Sequence, residues 1–145
     1  MYDDILVPTD GSDGIDAAAE HAATLADRFD ATVHVLSVVD TRNRFESPTS
    51  GLSPEAWTQA ERERADAAIE GTVAALPDDL PVETYRREGV PRKEILRFVA
   101  DEPIDMVVMG THGRTGLDHY FIGSVAEQVV RKSPVPVVTV RLSED

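Results

Sequence analysis

Five short strand-like runs alternate with four segments of helical period, and that alternation restricts the fold more than any other feature of this chain. "DDILVP" (3–8) is a brief apolar run ending in proline. Ile15, Ala18, Ala19, Ala22, Leu25, Ala26 and Phe29 then recur at helical spacing, with Ser12 placed to cap and Asp13 and Asp16 near the positive end of the dipole. "ATVHVLSVVD" (31–40) is β-branched and almost continuous, as a strand covered on both faces is. A second helix is predicted over 54–76 through Trp57, Ala60, Ala67, Ala68, Thr72, Val73 and Leu76. "PVETYRREG" (81–89) alternates weakly, as a strand near one edge does. Pro91 suits the first position of a third helix carrying Ile95, Leu96 and Val99. "IDMVVMG" (104–110), a helix over 124–132 and "PVPVVTVRL" (134–142) complete the order βαβαβαβαβ.

Strands alternating with helices imply a parallel sheet with helices on both faces. Right-handed crossovers favour a doubly wound α/β sheet, with ligands at the carboxyl ends of the strands where the winding reverses. No repeat or linker divides the chain, so residues 1–145 read as one domain. The longest irregular stretch, 41–54, is polar, broken by Pro and Gly, and has the character of a lid or binding loop.

Composition removes several classes of function. The chain has no cysteine, so disulfides, thiolate metal sites and cysteine nucleophiles are excluded. The histidines, His21, His34, His112 and His119, have no HExxH spacing. His21 and His34 read as packing residues, and His112 and His119 as polar loop positions. Fourteen basic and 27 acidic residues give a formal charge of −13, which opposes non-specific nucleic-acid binding. No apolar run is long enough to span a membrane, and the acidic start "MYDDILVPTD" is unlike a signal peptide, so a cytoplasmic protein is expected. Lysine occurs only at 93 and 132, and acid is abundant. Such a surface fits a protein kept soluble in high salt, where self-repulsion is screened; full stability without salt would count against that.

The glycines are concentrated where the chemistry is. "VVMGTHGRTGLDHYFIGSVAEQVV" (107–130) holds Gly110, Gly113, Gly116 and Gly123, four of nine in the chain. "SVAE" (124–127) fits a capping box with Ser124 as N-cap and Glu127 three residues on. A helix N-terminus presents unpaired N–H groups and partial positive charge, and a preceding glycine allows close approach of an anion. Glycines after the fourth strand can add a nest of amides, and Arg114 and the Ser124 hydroxyl can add contacts to phosphate. A glycine-rich turn between strand and helix also occurs with no ligand at all. GxxxxGK[ST] and GxGxxG are both absent.

With this segment the chain resembles the universal stress protein family, whose nucleotide motif is G-x2-G-x9-G-[ST]. Here the motif is Gly110, Gly113, Gly123 and Ser124 at matching spacing, and "ILVPTDGSDGIDAAAEHA" is similar to the family's opening. The resemblance implies a five-stranded parallel sheet in order 3-2-1-4-5 and ATP binding with Mg²⁺ or Mn²⁺. It implies that Pro8, Thr9 and Asp10 end the first strand beside the site, with Asp10 facing the nucleoside or a metal-bound water. Val38 would meet adenine through its backbone. Gly110, Gly113, Arg114, Gly123, Ser124 and Val125 would hold ribose and phosphates. In that order the fifth strand is an edge, and its apolar run 135–140 invites pairing with a second copy, as in the family's dimers.

Three functions compete on these residues. An ATP-binding regulatory or stress-response module needs only the motif. A slow ATPase or phosphotransferase needs a positioned nucleophile, charge neutralisation and a metal, for which Asp10, His112 and Arg114 are the candidates. A dimeric scaffold binding AMP or no nucleotide needs neither. No catalytic set is evident, which favours a nucleotide-binding regulatory protein over a catalyst.

Overall fold

Ile5, Leu6, Val7, Val33, Val35, Val107 and Val108 have no exposed surface, because each lies on a central strand with helices packed on both sides. The computed structural model describes residues 2–12, 15–41, 53–111 and 123–141. Its elements are β1 (Asp4–Pro8), α1 (Ile15–Phe29), β2 (Thr32–Asp40), α2 (Pro54–Ala74), β3 (Val82–Gly89), α3 (Pro91–Asp101), β4 (Met106–Gly110), α4 (Ser124–Lys132) and β5 (Val137–Val140). The sheet is five-stranded and parallel, in order β3-β2-β1-β4-β5. The expected doubly wound α/β sheet is therefore present. Of the stretch 41–54, read as a lid or binding loop, residues 42–52 lie outside the described residues. No helix among the described residues is long and apolar enough to cross a membrane.

Alternation along the strands divides the core in two. Ile5, Val7, Val33, Val35, Met106 and Val108 face α1 and α2. Leu6, Leu36, Val107 and Met109 face α3 and α4 with Ile95, Phe98 and Val129. On α1 the buried positions are all alanines, 18, 19, 22 and 26, so the helix axis can approach the sheet closely. Asp30 (φ 56) ends α1 in the left-handed conformation, and the Ala31 N–H returns to the Ala26 carbonyl at 2.9 Å.

Four local expectations are corrected. In α2 the buried stripe is Thr58, Ala65, Ala68 and Thr72, whereas Ala60 and Ala67 are exposed. Ala68, Thr72 and Leu76 are buried as expected, but small residues and threonines carry much of the packing, so hydrophobicity alone misplaced Ala60 and Ala67. His21 is exposed on α1, its ring meeting only the Ala17 carbonyl one turn back. β5 begins at Val137 rather than 134, since Pro134 and Pro136 cannot donate to a ladder. The capping box on α4 is out of register: Gly123 is the N-cap, without a side-chain bond, and Ser124 is the first helical residue. Glu127 instead pairs with Arg131, its Oε1 accepting from Nε at 3.1 Å.

His34 is a packing residue of an unusual kind. It is buried at the amino end of the sheet, where Nε2 lies 2.8 Å from Asp4 Oδ1 and Nδ1 lies 2.9 Å from the Tyr85 hydroxyl. The Tyr85 ring also stacks on His34 and meets Phe98 edge-on. Burial, and then the Glu83 carboxylate, hold the Tyr85 phenol above its ordinary pKa of 10.0. A phenol that keeps its proton longer when folded favours the fold below pH 10.0, and that contribution is lost as pH rises through the folded value.

His34→Ala is expected to cost about 1–3 kcal/mol, because it leaves buried partners unsatisfied. Urea unfolding measures it, and a loss within error would mean the network is not structural. Tyr85→Phe is expected to flatten the alkaline decline in stability above pH 10.0, followed as unfolding midpoint against pH.

Candidate functional site

The winding reverses between β1 and β4: β1 pairs with β2 on one side and β4 on the other, and the connections leave toward opposite faces. A crevice opens there above the carboxyl ends of the strands. It contains a cavity of about 270 Å³. Leu36, Ile95 and Met109 form an apolar floor beneath it.

One wall is the turn after β1. The Thr9 N–H donates to the Leu36 carbonyl at 2.8 Å, which extends the β1–β2 ladder by one residue. Asp10 Oδ1 then accepts from the Ser12 N–H at 2.9 Å, and Thr9 Oγ1 accepts from the Gly11 N–H at 3.2 Å. Asp10 is thus a turn-forming residue as well as a cavity residue. Gly11 has φ +79, and a Cβ there would stand 3.4 Å from the Ala68 Cβ. The chain needs glycine here for its backbone conformation.

The opposite wall is the junction of β4 and α4. The Thr111 N–H donates to the Val140 carbonyl at 3.1 Å, and the Thr111 carbonyl accepts from the Gly123 N–H at 2.5 Å. The chain therefore leaves and re-enters this wall at one point. Because the Gly123 N–H is engaged, it is not among the donors facing the cavity. The first intrahelical bond is Glu127 N–H to the Gly123 carbonyl. The amides of Ser124, Val125 and Ala126 precede it, have no intrahelical acceptor, and belong to residues lining the cavity.

The structure brings together Pro8, Thr9, Asp10, Val38, Gly110, Gly123, Ser124 and Val125 around this one space. Gly113 and Arg114, with His112, Gly116 and His119, lie outside the described residues. Sequence reasoning missed the third side of the cavity, formed by Asp40 at the end of β2, Glu61 and Arg64 on α2, and Pro91. Arg64 Nη1 lies 3.5 Å from Glu61 Oε1, with the guanidinium largely exposed. Only the i,i+3 spacing of that pair is visible in the sequence, and it does not say which way the helix faces.

Charge is unevenly distributed around the cavity. The described carboxylates, Asp10, Asp40 and Glu61, lie on the β1, β2 and α2 side, and the α4 N-terminus lies on the other. One end offers amide donors and a positive dipole, which suit an anion; the other offers acceptors, which suit hydroxyl and amino groups. Among the described residues no group of three or more His, Asp or Glu could hold a metal ion.

The model of the universal stress protein family matches residues 1–141. The chain belongs to the universal stress protein family. It is 37% identical over 147 positions to universal stress protein MJ0531 of Methanocaldococcus jannaschii, covering 97% of this chain and 83% of that protein. The solved structure of hypothetical protein MJ0577 is similar with a TM-score of 0.84 at 30% identity, covering 100% and 99% of the two chains. Universal stress protein UspA from Lactobacillus plantarum is similar with a TM-score of 0.81 at 28% identity, covering 97% and 98%. Two family structures with the same fold, at 22% and 21% identity and TM-scores of 0.62 and 0.64, are complexes with cAMP and, from Archaeoglobus fulgidus, with dAMP. They cover 98% and 97% of this chain and 99% and 98% of theirs.

Gly11→Ala is expected to lower stability by about 1–2 kcal/mol, the cost of placing a Cβ in the left-handed region. Chemical denaturation measures it, and an unchanged midpoint would mean that the turn refolds without strain.

Proposed function

We propose that the 145 residues form one nucleotide-binding domain that holds ATP, with Mg²⁺ or Mn²⁺, as a regulatory ligand. One observation carries this reading: the G-x2-G-x9-G-S motif starts and ends on the same cavity, at Gly110 and at Gly123–Ser124. The phosphates lie toward the amides of Ser124 and Val125. The nucleoside lies over Val38 and the floor residues, with the ribose toward Asp10. Gly113 and Arg114 are assigned to the phosphates by the motif alone.

The carboxylates fit a metal held mainly by the phosphates. Mg²⁺ in nucleotide sites commonly takes one or two protein oxygens and keeps several waters, so a dedicated cage of side chains is not required. When bound, it would neutralise phosphate charge beside the acidic wall.

The nucleotide complexes of family members with cAMP and dAMP support a site for adenine nucleotides in this fold. They also keep a second reading in view, a site that prefers a monophosphate. A domain that holds a nucleotide as a regulatory ligand acts through its surface. The edge strand β5 is that surface: Val137 and Val138 are only partly buried, and Val130 on α4 is 47% exposed. A homodimer pairing residues 135–140 across a two-fold axis would cover it. The acid-rich composition is consistent with function in high salt.

Calorimetry with ATP, ADP and AMP, with and without Mg²⁺, is expected to give binding well tighter than millimolar for ATP. Absent or millimolar binding of all three overturns the reading; tighter AMP than ATP selects the monophosphate alternative. Gly123 has φ −66 and ψ 155, extended backbone open to any residue, so its backbone conformation does not require glycine. Gly123→Val is therefore expected to fold but lose ATP, and unchanged affinity would place the phosphates elsewhere. Sedimentation is expected to give twice the 15.8 kDa chain mass, and a monomer at micromolar concentration would remove the dimer.

A further inference from the structure

Thr72 has no exposed surface, yet it carries a hydroxyl and lines no part of the cavity. A hydroxyl so buried must find its partners within the protein. Thr72 Oγ1 lies 2.8 Å from the Ala68 carbonyl oxygen and 2.9 Å from Thr9 Oγ1. Thr9 Oγ1 in turn lies 3.2 Å from the Gly11 nitrogen. The ends of this chain have fixed roles, since an N–H can only donate and a carbonyl can only accept. Each hydroxyl has one hydrogen. One direction satisfies every contact: Gly11 N–H to Thr9, Thr9 O–H to Thr72, and Thr72 O–H to the Ala68 carbonyl.

The chain runs beside a second contact. Gly11 packs on Ala68, one helical turn from Thr72, so the turn after β1 meets α2 at two points four residues apart on one face. Thr9 and Asp10 form one wall of the cavity, and α2 supplies Glu61 and Arg64 to another. The two walls are thereby fastened together from behind.

We propose that Thr72 is a positioning residue for the nucleotide site, acting through the Thr9 hydroxyl to fix the Thr9–Gly11 turn at a set distance from α2. This rests on the reading of the cavity as a nucleotide site. Thr72→Val has nearly the same shape but cannot accept from Thr9 or donate to Ala68. The Thr9 hydroxyl then has to turn toward the cavity for a partner, and the Gly11 amide loses its fixed acceptor. Thr72→Ser keeps the chain. Thr58 is the control, since it lies on the same buried stripe with its hydroxyl donating to the Pro54 carbonyl at 2.8 Å.

The test measures ATP binding by calorimetry and, without ligand, hydrogen exchange of the Gly11 amide by NMR. Thr72→Val is expected to weaken ATP binding about tenfold, the size of one buried hydrogen bond. It is also expected to speed Gly11 exchange, while Thr72→Ser and Thr58→Val stay near wild type in both. Wild-type affinity in Thr72→Val, or an equal loss in Thr58→Val, overturns the proposal. Should wild-type protein bind no ATP, the nucleotide reading fails by itself. The exchange measurement then decides the fastening of turn to helix, and unchanged Gly11 exchange in Thr72→Val overturns it. If Thr72→Val does not fold, Thr72→Ala removes the same hydroxyl with less crowding and is read by the same two measurements.

Discussion

The reversal of winding between β1 and β4 is the constraint on which the rest depends. A parallel sheet cannot return its chain by a hairpin, so each strand is followed by a crossover helix. Where successive crossovers go to opposite faces, the helices part and leave a crevice at the carboxyl ends of the strands. Pro8 and Gly110 end the two strands that flank it. The turn after β1 and the start of α4 become facing walls without any long-range element being built for that purpose.

What the walls present follows from unsatisfied backbone. The first turn of α4 has amides without intrahelical partners, and the Gly123 N–H is already committed to Thr111. The amides without an intrahelical acceptor therefore belong to the three residues after the glycine. The turn after β1 is the opposite case. Its Gly11 and Ser12 amides are satisfied internally by Thr9 and Asp10. A positive dipole faces a pre-formed acidic turn across a small apolar floor.

The strand pattern made the architecture legible because β-branched runs such as 31–40 have few alternatives once helices alternate with them. The residues of β1 and β4 that line the cavity were legible for a related reason: they occupy strand ends, and a crevice opens at strand ends where the winding reverses. Misreadings came where the physical signal is weak. α2 buries two threonines and two alanines, and no hydropathy pattern distinguishes those from the exposed Ala60 and Ala67. As a result, the contribution of Glu61 and Arg64 to the cavity could not be seen, since it depends on the rotation of α2 about its axis. The helix α4 starts at Ser124 as read, but its cap is Gly123, because the hydrogen bond to Thr111 fixes the entry of the chain.

Order along the chain, the parallel sheet, the two-sided core and the spacing of the glycines were determined by the sequence itself, because each rests on local periodicity and on backbone freedom at particular residues. Tertiary structure alone decided which hydroxyls and charges meet. Thr9 and Thr72 are 63 residues apart and share a hydrogen bond. Asp4, His34 and Tyr85 join across three strands. Contacts of this kind depend on the register of strands and the rotation of helices packed against them. A shift of one residue in strand register would turn the same side chains to the opposite face, and in a helix it would swing them by about 100° around the axis.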